Sequence, residues 1–313
     1  MTQGIHHITA IASHAQKTID FYTKTLGLRL VKKSVNQDDV STYHLFFGDK
    51  TGNPGMDLTF FIFLPPTKGV SGSGLVTTIA FAVHDDALPF WHDRLSQFNK
   101  VHEEIVERFG KKRIIFFDED HQQIELVGVP RSEMEENLDV WTTEAISKTH
   151  TIQSFYSATL SVTSIASIEP VLTHVFGYKH ASSEDHIHLY DLEHASRARY
   201  IEVSEEPSAD FGQSGAGTVH HIAFRAKDET EQAQMRKKVI ELGLFPTEVI
   251  DRFYFKSVYF RTPAGILFEI ATDGPGFTAD EKEEELGKKL ALPPFLEGQR
   301  KEIEAQLVPI TTN

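Results

Sequence analysis

Two stretches of this chain set adjacent histidines in apolar, strand-like surroundings: GIHHITAI, with His6 and His7, and TVHHIAF, with His220 and His221. A third, PAGILFEI, places Glu269 in an apolar strand four residues after Gly265. The chain has no cysteine, so a metal site here must use His, Asp, Glu, Tyr or backbone. Two His and one Glu make a facial triad, which leaves open positions on the metal and suits non-haem Fe(II) acting on O2. The stretch that corresponds to PAGILFEI near the N-terminus, PGMDLTFF, has Thr59 four residues after Gly55, so no fourth carboxylate is expected. Side chains alternate between the faces of a strand, so only one His of each pair is expected to point into a cup formed by a curved sheet.

The elements that must position these groups come as a repeat. Four segments, at about 4–64, 75–129, 156–205 and 217–272, each open with a strand, continue into a helix and close with strands. In the first, Ile19, Tyr22 and Leu26 have helical spacing and Gly27 ends the helix. DALPFWHDRLSQF, IEPVLTHVFGY and DETEQAQMRKKVIELG are the corresponding helices of the others. The fold class is α+β, four βαβββ modules with a helical tail. Residues 4–131 and 150–273 form the two double-module repeats, and 274–313 the tail. In the tail, Leu286 with Leu290 and Ile303 with Leu307 have helical i,i+4 spacing. Only the first and fourth modules carry His-His, so these two are expected to pair around the metal. The second and third keep carboxylates at the matching strand ends, Glu125 and Glu202, and are expected to form a metal-free scaffold. His84, His92, His121, His174 and His188 follow no such pattern.

Composition narrows the classes of function. Apolar content of 40% and charged content of 24% are those of a soluble globular protein, and no run approaches a membrane span. A net charge of −14 with scattered Lys and Arg disfavours nucleic acid as a partner. The opening MTQG has neither the basic nor the apolar region of a secretory signal, which favours the cytoplasm. A homo-oligomer is compatible with all of this.

The stretches GIHHITAI…FYTKTLGLRLVKK…YHLFFGD…GNPG and GAGTVHHIAFRA…DRFYFKSVYFRTPAGILFEIATDGPGF resemble the vicinal oxygen chelate superfamily. Within it they are most similar to glyoxalase-like dioxygenases that open hydroquinone and chlorohydroquinone rings. The resemblance covers nearly the whole chain and is strongest in the first and fourth modules. It implies His7, His221 and Glu269 as metal ligands, Fe(II) as the metal with Mn(II) as the alternative, and a small aromatic substrate with O2. Zn or Ni would also occupy such a site in a recombinant protein. It further implies Tyr259 for hydrogen bonding or proton transfer and Arg252 to offset anionic charge. His6 or His220 would move protons, and Thr9 would support the site. Phe224, Phe253 and Phe255 are expected to supply aromatic walls. The implied role is quinone detoxification or aromatic degradation. The competing readings are a metal-dependent glyoxalase or thiol transferase, and a metal-free sequestering protein of the same fold.

Overall fold

The computed structural model describes residues 2–136 and 138–312. Each module delivers its strands in the expected order. The first is β1 (Ile5–Ile11), α1 (Ala15–Asp20), β2 (Arg29–Asn36), β3 (Asp39–Gly48) and β4 (Asp57–Ile62). The second is β5 (Leu75–His84), α2 (Leu88–Gln97), β6 (Val106–Arg108), β7 (Lys111–Phe117) and β8 (Gln123–Val129). The third is β9 (Ser154–Val162), β10 (Lys179–Glu184), β11 (Ile187–Asp191) and β12 (Tyr200–Glu205), with a π-helical turn, Val171–Phe176, where the others have an α-helix. The fourth is β13 (Thr218–Ala226), α3 (Glu229–Glu241), β14 (Ile250–Asp251), β15 (Lys256–Arg261) and β16 (Leu267–Thr272), and the tail ends in α4 (Arg300–Gln306). Among the described residues no helix is long and apolar enough to cross a membrane.

The strands make two eight-stranded sheets. The first, in the order β14-β15-β16-β13-β1-β4-β3-β2, joins the fourth module to the first. The second, β10-β11-β12-β9-β5-β8-β7-β6, joins the third to the second. In each, two antiparallel opening strands lie at the centre, β1 with β13 and β5 with β9, and the closing strand of each module pairs parallel to its own opening strand. One face of each sheet packs into a continuous apolar core that includes Phe81, Trp91, Phe176 and Phe224. The other face of the first sheet carries a smaller cluster with Phe46, Ala223, Phe255 and Phe277, which backs the site.

Besides the π-helical turn of the third module, two elements differ from expectation. The first helix widens after Asp20 into a π-helical turn, Phe21–Thr25, in which adjacent Phe21 and Tyr22 are both buried. The Leu286–Leu290 stretch is not a helix. After a short 3-10 turn at Glu283–Glu285 it runs along β2, where Leu290 bridges Lys33 and the Ala291 N–H donates to the Lys33 carbonyl (2.8 Å). As an edge strand, β2 offers unpaired backbone groups, and these outweigh the helical spacing of two leucines.

Candidate metal centre

The sheet brings β1, β13 and β16 side by side, and three buried ligand atoms meet on its concave face. His7 Nε2 lies 3.2 Å from Glu269 Oε2, His221 Nε2 lies 3.0 Å from the same oxygen, and the two Nε2 atoms are 3.3 Å apart. Among the described residues these are the three side chains grouped closely enough to hold a metal ion. Two ligands at about 2.1 Å from a metal and at right angles subtend an edge of about 3 Å, so the triangle has the size of one face of an octahedron.

The paired histidines explain how the lone pairs come to face one another. The pairing of β1 with β13 slips at His6 and again at His220, each of which is left out of the register as a β-bulge. Strict alternation would send the first His of each pair to the opposite face. The bulge instead turns it beside its neighbour. His6 Nδ1 lies 2.9 Å from His7 Nδ1, and His220 Nδ1 lies 2.8 Å from His221 Nδ1. Burial and the neighbouring His7 hold His6 well below the usual imidazole range, so it is neutral with one N–H. Its Nε2 faces the Thr272 carbonyl at 3.1 Å, which can only accept. The His6 proton is therefore on Nε2, His7 Nδ1–H donates to His6 Nδ1, and His7 Nε2 is turned toward Glu269. Burial also lowers His221, while Glu269 works against that shift. Burial opposes ionisation of Glu269, yet the two imidazoles hold its carboxyl well below the usual range. Ser257 donates to Glu269 Oε1 (2.5 Å), and Oε2 is buried with no hydrogen-bond donor. Two imidazole nitrogens and one carboxylate oxygen thus converge within 3.3 Å of one another, a donor set that a divalent cation can draw together.

The other expected residues surround this triangle. Tyr259 faces Glu269 across the strands, and its ring lies 5.7 Å from that of His221. Burial pushes its phenol well up, with Glu269 adding, so it stays protonated. The Arg252 guanidinium sits 5.4 Å from the Tyr259 ring and is held by Asp38 at 2.9 and 3.2 Å. Thr9 bonds Thr59 (2.8 Å). Phe255 packs 5.1 Å from His7, and Phe253 borders the same cluster. Phe224 does not belong to the site. It stands an odd number of residues from His221, faces the opposite side of the sheet and stacks on Phe176 at 4.0 Å.

Sequence reasoning missed His44. Its Nε2 lies 2.9 Å from Thr59 Oγ1, its ring sits against Phe46 (3.9 Å) and Phe61 (4.4 Å), and it lines a narrow cavity with His7, His221, Arg252 and Tyr259. The signal was present in YHLFF, where alternation puts His44 and Phe46 on one face. Also missed was Asp57, a buried carboxyl with both oxygens unpartnered, which burial, Asp49 and Glu269 push well up.

Comparison with known proteins follows the same lines. The profile of the Glyoxalase/Bleomycin resistance protein/Dioxygenase superfamily matches residues 4–126. MhqO of Bacillus subtilis (strain 168), which carries a provisional ring-cleaving dioxygenase name, is 41% identical over 98% of this chain and 96% of its own. The chlorohydroquinone/hydroquinone 1,2-dioxygenase of Sphingobium indicum is 32% identical over 96% of this chain and 94% of its own. A crystal structure of a Bacillus subtilis protein, provisionally a dioxygenase, superposes with a TM-score of 0.94 at 39% identity, covering 100% of this chain and 98% of that one. Glyoxalase I of Zea mays, at 14% identity and a TM-score of 0.65 over 86% of this chain and 92% of that one, shares the fold.

Proposed function

The chain belongs to the Glyoxalase/Bleomycin resistance protein/Dioxygenase superfamily and, within it, to the ring-cleaving dioxygenases, and from that premise we propose that it uses Fe(II) to open hydroquinone-type rings. The reading places it in quinone detoxification or aromatic breakdown in the cytoplasm. It takes residues 4–131 and 150–273 as the two repeats of the fold and 274–313 as the tail. The observation that carries it is the triangle of His7, His221 and Glu269 acceptor atoms at the wall of an aromatic-lined cavity. Thr59, bonded to His44 and Thr9, stands where a fourth ligand would be, which disfavours four-ligand isomerase chemistry.

Fe(II) held by the triad would supply a Lewis-acid site and the electrons that let O2 react with the ring. The protein's own groups do the rest. His6, fixed by the Thr272 carbonyl, holds the His7 ring so that its Nε2 would be available to the ion. Ser257 orients the Glu269 carboxylate. Phe46, Phe61 and Phe255 give a flat apolar ring its walls and keep water from it. The protonated Tyr259 donates to a substrate oxygen, and Arg252 offsets negative charge that develops on it.

Oxygen uptake by anaerobically Fe(II)-loaded protein, given hydroquinone, methylhydroquinone, chlorohydroquinone and catechol, tests this. Uptake with the hydroquinones, lost in His221→Ala, is expected. Protein that retains Fe(II) and consumes no oxygen with any of them would refute the reading.

A further inference from the structure

The two cups carry one turn twice. Glu107-Arg108-Phe109 and Asp251-Arg252-Phe253 occupy matching places: Glu107 pairs with Lys112 as Asp251 pairs with Lys256, and both phenylalanines take left-handed φ values, +52° and +73°. Arg108 and Arg252 are thus counterparts, each mounted over its own cup. They point to different partners. Arg108 Nη2 turns inward, 2.8 Å from Glu125 and 2.7 Å from Glu202. The Arg252 guanidinium lies at the cavity wall against Tyr259 and is bonded to Asp38 at 2.9 and 3.2 Å.

Among the positions at which the cups differ, one bears directly on charge. Glu202 pairs with Thr159 as Thr59 pairs with Thr9, so Glu202 stands in the second cup where Thr59 stands in the first. At the centre of the second cup, the buried Arg113 guanidinium lies 2.7 Å from Glu125 and 3.1 Å from Glu202. The second cup therefore holds a cation at its centre flanked by two anions, Glu125 and, at the position of Thr59, Glu202, with Arg108 closed over both. The first cup would acquire the same charge pattern with a metal ion on the triad and an ionised hydroxyl of the substrate beside Thr59.

Resting on the function proposed above, we infer that Arg252 is a latch: its tie to Asp38 competes with the anionic oxygen of a bound phenol-type ligand, onto which the guanidinium turns. The tie is a weak one, because the Asp38 side chain is 71% exposed in the β2–β3 turn. Only the side chain need move, since Gln37 Nε2 donates to the Arg252 carbonyl (2.9 Å) and holds the backbone.

The test is calorimetric binding of hydroquinone to the full-length Zn(II)-loaded protein, which keeps the cavity redox-silent. Asp38→Asn is expected to tighten binding about two- to fivefold by releasing the guanidinium. Arg252→Met is expected to weaken it about tenfold or more, and Asp38→Asn to have no effect in that background. 1,4-Dimethoxybenzene, which has no hydroxyl to ionise, should not respond to Asp38→Asn. Equal effects of Asp38→Asn with and without Arg252, or no effect at all, would overturn the latch and leave the dioxygenase reading standing. Failure of the wild-type protein to bind hydroquinone would overturn both.

Discussion

A single proton position organises the candidate metal centre. The Thr272 carbonyl places it on His6 Nε2, and the orientation of His7 follows. Partners of this kind typically change metal affinity 10- to 100-fold. His6→Phe should therefore lower Fe(II) or Zn(II) affinity by about 10- to 100-fold while the ligand set stays intact, as read by competition with a chromogenic chelator. Away from the site, Asp118 joins the first two modules: Tyr22 donates to its Oδ2 (3.0 Å), and the N–H groups of Asp120 and Gln122 donate to Oδ1 (2.9 Å each). Burial pushes this carboxyl up to about 6, against about 3.9 for an unfolded Asp. Between those values the native state holds a proton that the unfolded chain releases. The contribution is complete below pH ~4 and is lost as pH rises through about 6, on the order of 1–3 kcal/mol. Denaturation midpoints measured across that window should fall less steeply with pH in Asp118→Asn.

One strand position serves three purposes. Ser257, Arg113 and His44 occupy equivalent places on β15, β7 and β3, two residues from the cross-strand neighbours of Glu269, Glu125 and Thr59. Ser257 bonds the Glu269 carboxylate, His44 bonds Thr59, and Arg113 sits between Glu125 and Glu202 at the centre of its cup. The second cup is thus filled by its own cation. Removing that cation would leave Glu125 and Glu202 buried with only Arg108 to offset them. Such losses cost about 3–5 kcal/mol. Arg113→Met should lower stability by about that amount in urea denaturation, with metal content of the other cup unchanged. The bulges belong to the fold as well: the pairing of β5 with β9 slips at Thr77 and Tyr156, the counterparts of His220 and His6.

At the scale of the molecule, the sheets are tied by two crossovers that run side by side. Lys68 bridges Ala216, Val70 bridges Gln213 and Ser73 bridges Phe211. The segments SGSGLV and SGAGTV end them, a second internal repeat. Contact is close because neither Gly69 nor Gly215 has a side chain. A Cβ on Gly215 would stand 2.6 Å from the Gly69 nitrogen, and one on Gly69 would stand 2.8 Å from the Gly215 carbonyl oxygen. Gly215→Ala should cost about 1–3 kcal/mol, seen as a lower thermal midpoint with the candidate metal ligands untouched.

The sequence by itself determined the α+β class, the four modules and which strands carry His7, His221 and Glu269, because strand periodicity and repeat spacing are local properties. Several things were decided only by tertiary structure. The bulges at His6 and His220 depend on how β1 meets β13, which no local pattern encodes. Phe224 was legible in principle, since its odd offset from His221 gives its face, but Phe253 and Phe255 are placed by a turn with a left-handed residue. The Leu286–Leu290 segment lost its helix to the free edge of β2, a partner more than 250 residues away in the chain. Arg108 and Arg252 show the same limit most plainly. Their turns match in sequence and in backbone. Arg108 reaches Glu125 and Glu202 while Arg252 reaches Asp38, contacts that the shared turn does not reveal.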